Sequence, residues 1–196
     1  MTPPRSAVPL WQGGWHPRAR RVPSPNVGPR PAGAAVTLAV LHSISLPPGV
    51  YGGDAIERLF TNRLDPRAHP SFAPLEGLRV SAHFLIRRRG ELLQFVDVDA
   101  RAWHAGVSSW QGRDNCNDYS VGIELEGLEG LAFTQRQYER LAPLLRALQA
   151  RWPLAEVVGH EHVAPGRKQD PGPGFNWSRL QLLLQHSGLR LPVSSR

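Results

Sequence analysis

At 196 residues, with 41% hydrophobic and 20% charged side chains, the chain has the size and composition of one globular domain with a sizeable core. Its one cysteine, Cys116, excludes an internal disulfide framework, and no apolar run approaches the roughly 18 residues needed to span a bilayer. The net charge of +7 invites a nucleic-acid reading, but the arginines are scattered, clustering only at Arg18–Arg21 and Arg87–Arg89, and no nucleic-acid motif accompanies them; an anionic small ligand fits the charge as well.

Residues 1–34 are rich in Pro, Gly and Arg and lack helical or strand periodicity. They read largely as an irregular arm, with Trp11 and Trp15 as anchors onto the body. The expected limits are an arm over 1–14, one domain over 15–188 and a tail over 189–196. The start, Met-Thr-Pro-Pro-Arg, lacks the apolar run of a secretory signal, so the cytoplasm is the expected location. The first strong element is Ala35–Leu41, a short β-branched apolar run that predicts a buried strand ending at His42. Turn residues Pro47-Pro-Gly49 and Gly52-Gly53 follow, then a helix starting near Asp54. Ala82–Arg87 and Glu91–Val96 flank Arg88-Arg89-Gly90 with hairpin spacing. Residues 103–119 read as loop. Ser120–Gly127 alternates, placing Val121, Ile123 and Leu125 on one face and Gly122, Glu124 and Glu126 on the other. From Thr134 to about Arg151 the stripe Tyr138, Leu141, Leu144, Leu145 and Leu148 predicts a helix, opened by a Thr134/Gln137 capping box. Val157–Val158 is a short strand ending at Gly159-His160, and a last helix covers about 176–186. The alternation predicts an α/β domain with a central sheet, helices packed against it and active groups at strand ends.

Lys168 is the only lysine among 22 arginines. An ammonium is a compact point charge on a flexible stem, whereas a guanidinium is a wide, permanently charged fork, so a lone lysine between His160 and Asp170 points to chemistry. His42 and His160 each close an apolar strand, where an unpartnered imidazole is costly. With Asp170 they make three protein ligands for zinc, leaving a fourth position for water. No compact His-Glu-x-x-His motif is present, and buried histidines are more often hydrogen-bonded than metal-bound, so spacing alone leaves both readings open.

The segments Arg20-Arg-Val-Pro-Ser-Pro-Asn26, Leu41-His-Ser-Ile-Ser-Leu-Pro-Pro-Gly49, Asp65-Pro-Arg-Ala-His-Pro70 and Leu78-Arg-Val-Ser-Ala-His83 resemble the AmpD type of N-acetylmuramoyl-L-alanine amidase. So do Arg101-Ala-Trp-His-Ala-Gly-Val-Ser-Ser109, Tyr119-Ser-Val-Gly-Ile-Glu-Leu-Glu-Gly127 and the stretch 159–173, in the same order from about Trp15 to Trp177. The resemblance implies a single-domain zinc amidase fold, similar to peptidoglycan recognition proteins, with a mixed central β-sheet flanked by helices. It places zinc ligands on His42, His160 and Asp170, the catalytic acidic residue, a general base, on Glu124 and the catalytic lysine on Lys168. His162 falls where the family has no ligand. Arg79, Trp103 and Arg167 match positions along the substrate groove, and His69, His83 and His104 match as well, the first two in structural roles. Ser43 stands where close relatives show Asn, and Asn115 where they show Arg; both are expected to face the ligand.

The expected activity is zinc-dependent hydrolysis of the amide joining the lactyl group of (1,6-anhydro)-N-acetylmuramic acid to L-alanine of the stem peptide, in peptidoglycan recycling. The expected partner is a small muropeptide, with neither nucleic acid nor membrane; the sequence leaves the oligomeric state open, a monomer being the favoured reading. The alternatives are a lytic amidase acting on intact peptidoglycan and a non-catalytic peptidoglycan-binding module.

Overall fold

The computed structural model describes residues 11–192. In chain order the elements are β1 (Arg20–Arg21), β2 (Val27–Gly28), β3 (Leu38–Ile44), α1 (Ala55–Phe60), β4 (Phe84–Ile86), β5 (Leu92–Gln94) and β6 (Arg101–Ala102). They continue with β7 (Ser109–Trp110), β8 (Arg113–Asp114), β9 (Ser120–Glu126), α2 (Gln135–Gln149), β10 (Glu156–Gly159), α3 (His160–Val163) and α4 (Trp177–Leu183). Six strands form a mixed sheet in the order β1-β5-β4-β9-β3-β10, in which only the β4–β5 hairpin is antiparallel. This is the α/β architecture expected from the sequence.

The centre of the sheet is covered on both faces, which is what parallel strands require. Alternate residues of β9 enter different layers: Val121, Ile123 and Leu125 pack with Leu141, Leu144, Leu145 and Leu148 of α2. The opposite face carries Glu124 and Glu126, and these are buried too, Glu126 at 2% exposure. Glu126 is held by the Arg87 guanidinium at 2.8 Å and by the backbone N–H groups of Arg88 and Gly52.

Several boundaries differ from the sequence reading. The first long strand begins at Leu38 and continues through His42 to Ile44, because its ladder with β9 runs on to Ile44 opposite Glu126. His42 therefore sits inside a strand. The last helix stops at Leu183, and the expected loop over 103–119 contains the small β7–β8 ribbon. Both ends of the described chain pack on the body. Trp11, expected in the arm, stacks edge-on against Trp152 at 4.8 Å, and Arg190, expected in the tail, bridges to Glu156 at the β10 edge. The rest of the expected arm (1–10) and tail (193–196) lies outside the described residues.

Candidate active site

β3, β9 and β10 bring the expected residues together. His42 on β3 is directly opposite Glu124 on β9, and His160 follows β10, whose Gly159 pairs with Leu41. Asp170 returns from the Pro/Gly-rich loop and is tied to the start of α3 by the Glu161 N–H, which donates to the Asp170 carbonyl at 2.9 Å. The Nδ1 atoms of His42 and His160 lie 3.0 Å apart, and Asp170 Oδ2 lies 3.0 Å from the first and 3.1 Å from the second. All three side chains are buried.

Two imidazole lone pairs and a carboxylate oxygen facing one another repel unless a cation or protons stand among them. A tetrahedral zinc with bonds of about 2.0–2.1 Å separates its ligand atoms by about 3.3 Å, close to the spacing here, so the donor set fits such an ion. The remaining imidazole nitrogens are occupied. His160 Nε2 donates to the Ala105 carbonyl at 3.0 Å, and His42 Nε2 lies 3.0 Å from His104 Nδ1. Burial lowers His42 to about 4, against the opposing hydrogen bond to Asp170. For Asp170 burial acts upward, but the hydrogen bonds to His160 and His42 outweigh it and hold the carboxyl well below its ordinary range.

Glu124 is 9% exposed, and its Oε2 is buried without a hydrogen-bond partner among the described residues. Burial, reinforced by the Asp170 charge and opposed by Lys168, pushes its carboxyl well above the ordinary carboxylate range. A solvated strand face is therefore ruled out for this residue. Lys168 is exposed at the rim, its backbone N–H donating to Ala164 at 3.0 Å, and its charge acts on both Glu124 and His42.

The groove residues separate. Arg167 is engaged with backbone, Nη2 donating to the carbonyls of Ala105 and Val107, each at 2.6 Å. It lines a cavity of about 480 Å³ that also includes Asn115. Ser43 lines a different cavity of about 270 Å³, walled by Pro48, Leu128 and Glu129. Arg79 is exposed, as is Trp103 at 39%. His162 Nδ1 accepts from the Gly159 N–H at 2.9 Å, so it caps a turn. His69 caps the 3₁₀ turn Pro70–Leu75, and His83 accepts from the Gly122 N–H. Cys116 is buried against the Tyr119 hydroxyl. Sequence reasoning missed Asn117, whose Oδ1 accepts from the N–H groups of both His104 and Ala105. It also passed over Arg30, whose guanidinium donates to the carbonyls of Val98, Asn117, Asp118 and Ser120. A polar residue outside the long strands and helices carries no periodic signal that would expose either role.

Residues 32–173 match the family model described as N-acetylmuramoyl-L-alanine amidase. The chain belongs to that family. The amidase is 54% identical over 180 residues to the 1,6-anhydro-N-acetylmuramyl-L-alanine amidase AmpD of Citrobacter freundii, covering 91% of this chain and 96% of the relative. It superposes on the crystal structure of a selenomethionine AmpD derivative with a TM-score of 0.86 at 55% identity, covering 89% of this chain and 98% of that one. A third similarity, at 30% identity and a TM-score of 0.56, is to AmiD of Escherichia coli in complex with anhydro-N-acetylmuramic acid-L-Ala-D-γ-Glu-L-Lys; it covers 79% of this chain and 60% of AmiD.

Proposed function

We propose that this amidase hydrolyses the bond between the lactyl carbonyl of 1,6-anhydro-N-acetylmuramic acid and L-alanine of the stem peptide, in cytoplasmic peptidoglycan recycling. The observation that carries the reading is the three-atom cluster of His42, His160 and Asp170 beside the unpartnered Glu124 oxygen. The relatives named for 1,6-anhydro-N-acetylmuramyl-L-alanine amidase activity support the choice of substrate.

His42, His160 and Asp170 would hold zinc. A zinc ion bound there would supply a Lewis acid to polarise the scissile carbonyl and ease deprotonation of a water molecule. Glu124, once ionised, accepts the proton of the attacking water and then returns it to the departing L-alanine amine. Because Oε2 is buried and no described residue donates to it, the oxygen is free to take that proton. Lys168 places an ammonium near the developing oxyanion, where a fixed charge stabilises the transition state more than the ground state. Arg79, Trp103, Arg167, Ser43 and Asn115 border the muropeptide in this reading. Arg167 acts there chiefly by fixing the 105–107 backbone.

A non-catalytic binding module needs neither the full ligand set nor an orphaned buried carboxylate. The test is mass spectrometry of a 1,6-anhydro-N-acetylmuramoyl peptide and, in parallel, of intact sacculi after incubation with the protein, with and without chelator. Release of peptide from the soluble substrate, blocked by chelator and restored by zinc, is expected. Cleavage of sacculi instead identifies a lytic amidase, and binding without cleavage a recognition module.

A further inference from the structure

The mechanism leaves unused a partly buried row of polar groups behind the metal-ligand cluster. His42 Nε2 lies 3.0 Å from His104 Nδ1, and His104 Nε2 lies 3.2 Å from Ser120 Oγ. One residue further along, the Ala105 carbonyl accepts from His160 Nε2 at 3.0 Å and from the Arg167 guanidinium at 2.6 Å. The segment 104–105 thus meets the outward nitrogen of both histidine ligands. Asn117 Oδ1 holds the segment by accepting from His104 N–H at 3.1 Å and Ala105 N–H at 2.9 Å. Gly122 admits the ring of His104, since a Cβ at that position would overlap it.

A histidine that binds a metal through Nδ1 must carry its proton on Nε2, and the partner of that N–H selects the tautomer and aims the ring. A carbonyl such as Ala105 can only accept, so it selects the tautomer of His160 outright. His104 can select the tautomer of His42 only if its own Nδ1 is bare, with its proton on Nε2. Ser120 Oγ, within reach of that nitrogen, provides the acceptor.

We propose that His104 is a positioning residue of the metal centre: its unprotonated Nδ1 accepts from His42 Nε2–H, fixing the tautomer that leaves His42 Nδ1 free for the metal, while Asn117 holds it in place. The inference rests on the metal-centre reading above and specifies which nitrogens carry protons.

The test pairs two variants with a measurement on the unaltered chain. His104→Phe keeps a ring over Gly122 and removes the acceptor; His104→Asn returns an acceptor near the position of Nδ1. Zinc affinity is read by chelator competition, and the thermal midpoint of each metal-free protein monitors the fold. A loss of about 10- to 100-fold in affinity is expected for His104→Phe, the usual scale for an outer partner of a metal ligand, with recovery to within a few-fold in His104→Asn. Affinity in His104→Phe equal to the unaltered chain, or an equal loss in both variants, overturns the proposal. Imidazole ¹⁵N chemical shifts of the unaltered, zinc-loaded protein decide independently should either variant fail to fold. Nε2–H tautomers at His42 and His104 are expected, and an Nδ1–H tautomer at His104 overturns the inference. An unaltered chain that takes up no zinc refutes the metal-centre reading and this assignment with it, whereas zinc uptake with an Nδ1–H tautomer at His104 overturns the assignment alone.

Discussion

Each catalytic group fails in a different observable if its role is as proposed. Asp170 Oδ2 touches both imidazoles, so Asp170→Ala removes one donor and the partner of the other two. Zinc retention and turnover are expected to vanish together; full activity of a zinc-free variant would remove the metal from the reaction. Glu124 lies outside that donor set, so Glu124→Gln is expected to keep zinc while turnover falls by roughly 10²-fold or more, the scale of a lost general base. A near-normal rate, measured alongside metal content, would exclude it from proton transfer. Lys168→Arg keeps the charge but spreads and displaces it at an exposed rim, so the fold and zinc stay and kcat drops. Unchanged kinetics would mean that the lone lysine reflects coding bias. The place of Glu124 came from the family resemblance, whereas the lone Lys168 and the strand-end His42 and His160 were legible at this scale. The supporting residues were not, since Asn117 and Arg30 act through backbone groups distant in sequence.

At the scale of elements, local signals placed helix starts well and strand ends poorly. The capping box is present, with the Gln137 N–H donating to Thr134 Oγ1 and the Thr134 N–H to Gln137 Oε1. Thr134→Ala is expected to cost about 1 kcal/mol, read as a shift in the urea midpoint at unchanged slope. Helix α2 continues through Pro143, which lacks an N–H for the helical ladder, because its leucine stripe is buried against the sheet on both sides of that residue. The end of β3 followed from its partner: pairing with β9 carries it past His42, which its own composition does not reveal. Among the described strand glycines, Gly122 has the closest neighbour. Gly122→Ala is expected to displace His104 and lower stability by about 1–3 kcal/mol, the range for overpacking; a stability equal to the unaltered chain would show that His104 has room to move.

For the whole molecule, acid should be destabilising through buried histidines outside the metal donor set. Burial lowers His16 from 6.5 to about 4, with Arg140 and Arg18 adding to it, and lowers His83 from 6.5 to about 3, with Arg30 adding to it. As pH falls below about 6.5 the unfolded chain binds protons that these native imidazoles refuse. Their contribution is therefore complete above about pH 6.5 and is lost progressively down to about pH 3. Urea midpoints should fall between about pH 7.5 and pH 5, and equal midpoints would mean these imidazoles titrate as exposed ones do. By itself the sequence determined the α/β class, the order of the elements and the residue types of the site, since periodicity, caps and ordered motifs act over a few neighbours. Only the tertiary structure decided that His42, His160 and Asp170 meet within 3.1 Å, that Glu124 is buried with a bare oxygen, and that Arg167 serves the backbone. Those facts depend on strand register and loop return across separations of up to 128 residues. They are set by packing in three dimensions, of which a linear pattern carries no direct record.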